Sequence, residues 1–375
     1  MAGIYIHIPF CKQKCSYCDF HFSTTFENYR SDMIEAIINE IEVRKDYLVD
    51  QKIETLYFGG GTPSLLTFNE LSRIIKKVKT SFPDIQLKEI TLEANPDDIN
   101  KTSLIEWKEG GVNRLSIGLQ SLKSDDLKWM NRAHTVEEAL KCIPLALRNG
   151  FDNLTIDLIY GLPNLTLEDW ENAVQWVINQ KVPHISAYCL TVEEKTSLYK
   201  LVKTNKIKPA SEDQQSEQFT LLVNLLQKHG YEQYEVSNFA LKGFRSVHNG
   251  NYWKGEYYLG IGPSAHSFNG KSRSWNIANN SKYIQLVKEQ KQDWIETEVL
   301  SHKDRFNELL LTGLRTTDGL KISQLAEILP FTKEFDQTKS EFIKSGWMIE
   351  ENGQLKLTKE GLLKADYIAS ELFII

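Results

Sequence analysis

The sequence predicts an α/β protein: a layer of parallel strands joined by helical crossovers, followed by a small α+β module. Three observations carry this. Apolar, β-branched segments recur six times, at residues 3–9, 53–59, 89–93, 114–120, 153–160 and 184–192, each followed by a stretch of helical spacing. The residues best suited to chemistry, Cys11, the run Gly59-Gly60-Gly61, Glu93, Gln120 and Asp157, fall at or just past the C-terminal ends of these segments, the rim where such folds build their sites. The alternation stops after Val192, and a different pattern begins near residue 301.

Taken in order, helices are expected over 26–48, 69–80, 135–149 and 167–180, with Gly110, Gly111 and Gly150 as stops. Six βα units fit an open doubly wound layer or a partial barrel, and periodicity alone leaves both standing. A helix over 212–229 leads into an aromatic-rich stretch, 231–275. Beyond residue 301, Phe306, Leu309, Leu310, Gly313 and Leu314 keep helical spacing, a second helix covers 322–329, and 347–357 turns at Asn352-Gly353 as a hairpin. Three helices and a wing make this module winged-helix-like. The expected units are 1–200 for the βα repeats, 201–300 for an aromatic-rich extension and 301–375 for the module.

The 375 residues, 41% hydrophobic, suffice for a sizeable core and two or three domains. Five cysteines, three of them clustered, do not form a disulfide framework and fit a reducing compartment, so a cytoplasmic protein is expected, with Cys142 and Cys189 as buried thiols. Residues 1–10 carry no secretory pattern and no transmembrane run is visible. With 44 basic and 50 acidic side chains the net charge is −6, which argues against a nucleic-acid partner. The module, with ten Lys or Arg against twelve Asp or Glu, reads as a packing unit that covers the barrel or helps to close its site. Peripheral membrane contact would come through a partner, since no amphipathic lipid-binding segment stands out.

Cys11, Cys15 and Cys18 stand within eight residues of one another with no fourth cysteine nearby. A [4Fe-4S] cube held by three thiolates keeps one iron open for an exchangeable ligand, whereas electron carriers usually bind all four irons through cysteine. The competing reading is a zinc site completed by His7, Asp19 or His21, but structural zinc usually draws its ligands from two separated pairs.

The flanks resemble a known family. Tyr5-Ile-His-Ile-Pro-Phe-Cys11, Cys15-Ser-Tyr-Cys18-Asp-Phe20, Phe58-Gly-Gly-Gly-Thr-Pro63, Glu93-Ala-Asn-Pro96, Ser116-Ile-Gly-Leu-Gln120, Asn131-Arg132 and Ile156-Asp-Leu-Ile-Tyr-Gly-Leu-Pro163 are similar, in order, to the radical S-adenosylmethionine (SAM) proteins of the coproporphyrinogen oxidase and HemW group. The resemblance implies a partial (β/α)6 TIM-like barrel with a C-terminal module. It also implies a cluster on Cys11, Cys15 and Cys18 and a SAM pocket drawing on Tyr5, Tyr17, Gly60, Gly61, Thr62, Glu93, Gln120, Arg132 and Asp157. The residue chemistry suits those roles. Carboxylates accept from an ammonium or ribose hydroxyls, arginine faces a carboxylate, and the Tyr17 ring lies near the adenine.

Two branches share this core. The oxidase branch carries a further cysteine two residues after the third ligand, where this chain has Phe20, and an N-terminal extension, whereas Tyr5 here begins the first strand almost at once. His248-Asn249-Gly-Asn-Tyr252-Trp253 matches the His-Asn-x-x-Tyr-Trp pattern of the haem-chaperone branch. The resemblance therefore implies a protein that binds haem, with His248 as axial ligand and Tyr252, Trp253, Tyr257 or Tyr258 against the macrocycle, and passes it to acceptor apoproteins. The alternative is an oxygen-independent coproporphyrinogen III oxidase. A radical SAM enzyme acting on RNA would bring a basic module that this chain lacks.

Overall fold

The computed structural model describes residues 1–82, 85–291 and 293–375. Six strands run parallel in sequence order: β1 (Ala2–Ile8), β2 (Ile53–Gly60), β3 (Ile85–Ala94), β4 (Arg114–Gln120), β5 (Leu154–Tyr160) and β6 (His184–Cys189). The crossovers between them carry α1 (Arg30–Val43), α2 (Phe68–Ser81), α3 (Lys101–Glu109), α4 (Ser124–Trp129) with α5 (Val136–Arg148), and α6 (Leu167–Asn179). This is the TIM-like partial barrel rather than the open layer. Capping boxes fix where two helices begin, Thr67 with Glu70 for α2 and Thr135 with Glu138 for α5.

Strand alternation sorts the side chains. Ile4, Ile6 and Ile8 of β1 are fully buried in one continuous apolar core with Ile37 and Ile41 of α1 and Ile74 and Val78 of α2. The other faces of the strands look into the concavity, which is filled with polar groups. Tyr57 Oη donates to Glu93 at 2.8 Å, Ser116 Oγ donates to Asp157 at 3.2 Å, the Arg114 guanidinium donates to Thr155, and Thr155 Oγ1 pairs with His184 Nδ1 at 3.0 Å.

Residues 201–300 fold onto both edges of this sheet. After α7 (Ser197–Lys203) and α8 (Glu212–Lys228), β7 (Glu232–Gln233) and β8 (Asn238–Ala240) extend it antiparallel beyond β6. At the other edge β9 (Tyr257–Ile261) lies parallel to β1, and β10 (His266–Phe268), β11 (Ser272–Asn276) and β12 (Ile295–Val299) continue it to twelve strands. Phe219, Leu259 and Tyr283 of this stretch belong to the same core as the barrel. Between these elements, α9 (Val247–Trp253) enters the barrel floor, and Glu89 of β3 accepts from the backbone N–H of Val247 and His248, each at 2.9 Å, at the positive end of the helix.

The β1-side extension is locked by a buried ion pair. Glu40 on α1, 0% exposed, accepts from the Gly262 N–H (2.8 Å), Asn276 Nδ2 (2.7 Å) and the hydroxyl of Tyr283 (2.5 Å) on α10 (Asn280–Lys288), with Arg44 Nη1 at 3.3 Å. Arg44 in turn donates to Gly260 O (2.9 Å) and Ser267 Oγ (3.0 Å).

The C-terminal module comprises α11 (His302–Leu314), β13 (Leu320–Lys321), α12 (Ile322–Ile328), α13 (Lys333–Lys344), β14 (Met348–Glu351), β15 (Gln354–Leu357), α14 (Lys359–Leu362) and α15 (Ala365–Glu371). Its wing turns at Asn352 (φ 51°) and Gly353 (φ 75°), the two positive values that a two-residue hairpin of this hand requires. Phe306, Leu310, Met348, Leu355 and Ile368 form a second core. The module joins the barrel through Val236 N–H to Arg315 O (3.0 Å), Thr317 N–H to Tyr234 O (3.1 Å) and the Arg315 guanidinium 5.4 Å from the Trp253 ring centre. Among the described residues, no helix is long and apolar enough to cross a membrane.

Candidate functional site

The C-terminal rim of the strands encloses a cleft of about 440 Å³, lined by Cys11, Cys15, Cys18, Tyr17, Gly60, Gly61, Thr62, Glu93, Gln120, Arg132 and Asp157. These are the sequence-selected residues with two exceptions, Tyr5 and His248. Among the described residues, the C-terminal module contributes none to the lining.

The loop after β1 carries the three cysteines and is tied down by its neighbours. Cys11 N–H donates to Ser23 O (3.0 Å), Ser16 N–H to Met130 O (2.9 Å) and Asn131 Nδ2 to Lys14 O (2.8 Å). Lys12 Nζ reaches Asp97 at 2.6 Å and also contacts Asp98, which accepts from Ser64 Oγ at 2.7 Å. The loop is therefore held by bonds that do not involve the cysteine sulfurs. All three thiols are half-buried at one side of the cleft, and burial pushes Cys11 up to about 12 and Cys18 to about 11. A metal centre would have to draw these protons off.

A zinc ion fits this arrangement poorly. His7 Nε2 faces His21 O at 2.8 Å and its Nδ1 faces the Tyr5 hydroxyl at 3.3 Å, while His21 Nε2 is bonded to Asn280 Oδ1 at 2.7 Å. No three His, Cys, Asp or Glu side chains among the described residues converge as one ion requires. All three cysteines line one open cleft of about 440 Å³, which has room for the larger cube and for a ligand on its fourth iron.

The glycine run lets β2 cross beneath the cysteine loop. A Cβ on Gly61 would stand 2.6 Å from Phe10 O and 2.8 Å from Ile8 O, the same Ile8 carbonyl that its N–H meets at 2.9 Å. Thr62, next in line, donates its N–H to Phe10 O (2.7 Å) and its hydroxyl to Cys11 Sγ (3.5 Å). Across the cleft, Arg132 donates to Cys15 Sγ (3.5 Å), Asn95 Oδ1 (2.6 Å) and Gly118 O (2.9 Å).

Two carboxyls define the floor. Burial lifts Glu93 to about 7 despite the hydrogen bond from Tyr57, and lifts Asp157 to about 6 despite that from Ser116. Each is poised to ionise when a cation arrives. Gln120 is brought to the rim by a register shift between Gly118 and Gln120 and has φ 67°, a region strained for a residue with a Cβ. With strain of about 1–3 kcal/mol released against a glycine entropy cost of about 0.5–1 kcal/mol, Gln120→Gly is expected to raise stability by about 1 kcal/mol. Denaturant unfolding reads the effect, and a stability loss would show that the amide holds the rim.

The structure sets three residues in surroundings other than those expected. His248 is 2% exposed, with Nδ1 paired to Thr55 Oγ1 (2.8 Å) and Nε2 to the Tyr252 hydroxyl (3.0 Å), and its ring lies stacked on Tyr57. Both nitrogens are engaged inside the barrel floor, outside the cleft. Tyr252 packs edge-on to Tyr258, and Trp253 meets Arg315. Tyr5 points into the barrel one layer below the cleft, stacked on Tyr57. Cys142 is buried, but Cys189 lines the cleft.

Sequence reading included Asn95, Ser116 and Phe20 within motifs but gave them no place in the cleft, and it did not see the aromatic mouth. Phe20, 67% exposed, and Tyr188, 43% exposed, stand there with Phe22 and Leu190. Tyr188 is the last residue but one of the sixth strand, so the rim rule applied to β6 would have found it.

Comparison with known proteins agrees with this architecture. Residues 5–177 match the Radical SAM superfamily and residues 300–363 the HemN C-terminal domain. Over 332 residues, 87% of this chain and 86% of the relative, the sequence is 33% identical to the Bacillus subtilis protein named heme chaperone HemW. The chain belongs to the HemN/HemW group of the radical SAM superfamily. A Lactococcus lactis protein of the same name is 32% identical over 95% of this chain and 93% of its own. The solved Escherichia coli coproporphyrinogen III oxidase, HemN, superposes with a TM-score of 0.84 over 99% of this chain and 90% of that one at 23% identity, which shows a common HemN-type fold.

Proposed function

We propose that this protein is a haem chaperone. It holds a [4Fe-4S] cluster on Cys11, Cys15 and Cys18, binds SAM against Gly60, Gly61, Glu93, Gln120, Arg132 and Asp157, and hands haem to an acceptor protein, in keeping with a reducing cytoplasm. The observation that carries this reading is the likeness, at 32–33% identity over most of both chains, to relatives named heme chaperone HemW. Phe20 supports it, because the resemblance places the oxidase branch's further cysteine at this position. The mouth formed by Phe20, Phe22, Tyr188 and Leu190 offers an apolar face to a macrocycle, whereas the segment around His248 is sealed. When bound, the cluster supplies a one-electron centre with one iron open to a chelating ligand.

Anaerobically purified protein is expected to take up haem stoichiometrically and release it to an apo haem protein. Absence of haem uptake, or anaerobic formation of protoporphyrinogen with 5′-deoxyadenosine from coproporphyrinogen, would overturn the reading. SAM affinity is expected to rise with pH as Glu93 and Asp157 ionise. Below pH 6 each unit costs up to about tenfold per required ionisation, and the curve flattens above 7. Calorimetry at pH 5.5 and 8 checks this, and Glu93→Gln is expected to flatten the profile.

A further inference from the structure

We propose that Asn95 is a positioning residue for the cluster: it presets the two side-chain donors that hydrogen-bond to the ligating sulfurs of Cys11 and Cys15, and so raises the cluster's reduction potential. The inference rests on the cluster in the proposed function and assigns Asn95 a role that the sequence motifs do not.

Asn95 sits between the two donors. Its Oδ1 accepts from Arg132 Nη2 at 2.6 Å, and its Nδ2 donates to Thr62 Oγ1 at 3.4 Å. A hydroxyl that accepts from an amide has its own proton free, and that proton goes to Cys11 Sγ at 3.5 Å. The guanidinium, held on its other side by Gly118 O at 2.9 Å, presents Nη1 to Cys15 Sγ at 3.5 Å. Two of the three ligating sulfurs thus meet a side-chain donor, and one amide orients both donors. Glycine at 118 keeps the path clear, since a Cβ there would stand 3.3 Å from Arg132 Nη2.

The direction of the effect follows from charge. Donors to cluster sulfurs stabilise the reduced, more negative state, and groups that orient metal ligands tune the centre without touching it. A positive guanidinium beside one sulfur adds to the same shift.

The test is a potentiometric titration, followed by electron paramagnetic resonance, on reconstituted protein without SAM. Asn95→Leu and Thr62→Val are each expected to move the midpoint to more negative values with iron and sulfide content unchanged, and Thr62→Ser, which keeps the donor, is expected to restore it. The double variant is expected to shift less than the sum of the singles, because Asn95 acts partly through Thr62. Unchanged SAM-free midpoints in Asn95→Leu and Thr62→Val, with only SAM affinity lowered, would overturn the proposal. If Asn95→Leu fails to assemble a cluster, the Thr62→Val and Thr62→Ser pair decides alone: no difference between them overturns it. Failure of the cluster reading itself is a separate result, seen as wild-type protein that takes up no iron and sulfide.

Discussion

Cys15→Ala is expected to lose essentially all cluster iron and sulfide on anaerobic reconstitution and, with them, tight SAM binding. A cube held by three protein sulfurs has no spare donor. The nearby imidazoles cannot step in, because His7 is occupied by Tyr5 and the His21 carbonyl, and His21 is bonded to Asn280. Burial also holds His7 down at about 4, so it stays neutral but enclosed. The fold is expected to survive, since the loop is fastened through Ser16, Lys14 and Lys12 by bonds that do not involve the Cys15 sulfur. Circular dichroism and thermal unfolding of Cys15→Ala should match wild-type protein stripped of metal, and Cys142→Ala, altered on the outer face of the barrel, should keep its cluster. Iron retained in Cys15→Ala would point to a different ligand set.

Glu40→Leu is expected to cost about 3–5 kcal/mol of stability, because removing one member of a buried ion pair strands the other. Arg44 would keep Gly260 O and Ser267 Oγ but lose its countercharge, and Gly262 N–H and the Tyr283 hydroxyl would lose their acceptor. The damage should concentrate where the network sits, at the seam joining α1 to β9, β11 and α10. Urea unfolding should show a lower midpoint, and hydrogen exchange should show early opening over 257–299. Adding Arg44→Met is expected to recover part of the loss, since the pair is then replaced by apolar groups. Glu40→Leu unfolding at the wild-type midpoint would mean that water reaches the pair.

The six parallel strands and most of the rim were legible because a strand buried on its helix face writes a plain apolar alternation, as in Ile4, Ile6 and Ile8. The strands added from residues 232 to 299 were not. They are short, and β12, Ile-Glu-Thr-Glu-Val, is half-buried to exposed along its length, so it carries no core periodicity. The cleft residues were readable because strand ends and family motifs coincide there. The surroundings of His248 were not legible for a physical reason: an imidazole among aromatics has the same sequence signature whether it meets a metal or a threonine. Only the pairing of β1 with β9, which brings α9 against Gly3 and Thr55, shows which it is. The depth of Tyr5 was hidden similarly, because alternation gives the inward face but not the level along the strand.

The throat of this barrel is glued by directional bonds, Tyr57 to Glu93, Ser116 to Asp157, Thr155 to His184, His184 to Tyr234, where aliphatic layers usually fill such folds. Grease lets neighbouring strands slide a little and heal, whereas a donor without its acceptor in a dry interior is penalised at once. The width of the mouth above is therefore set from underneath, and a ligand meets an aperture already cut to size.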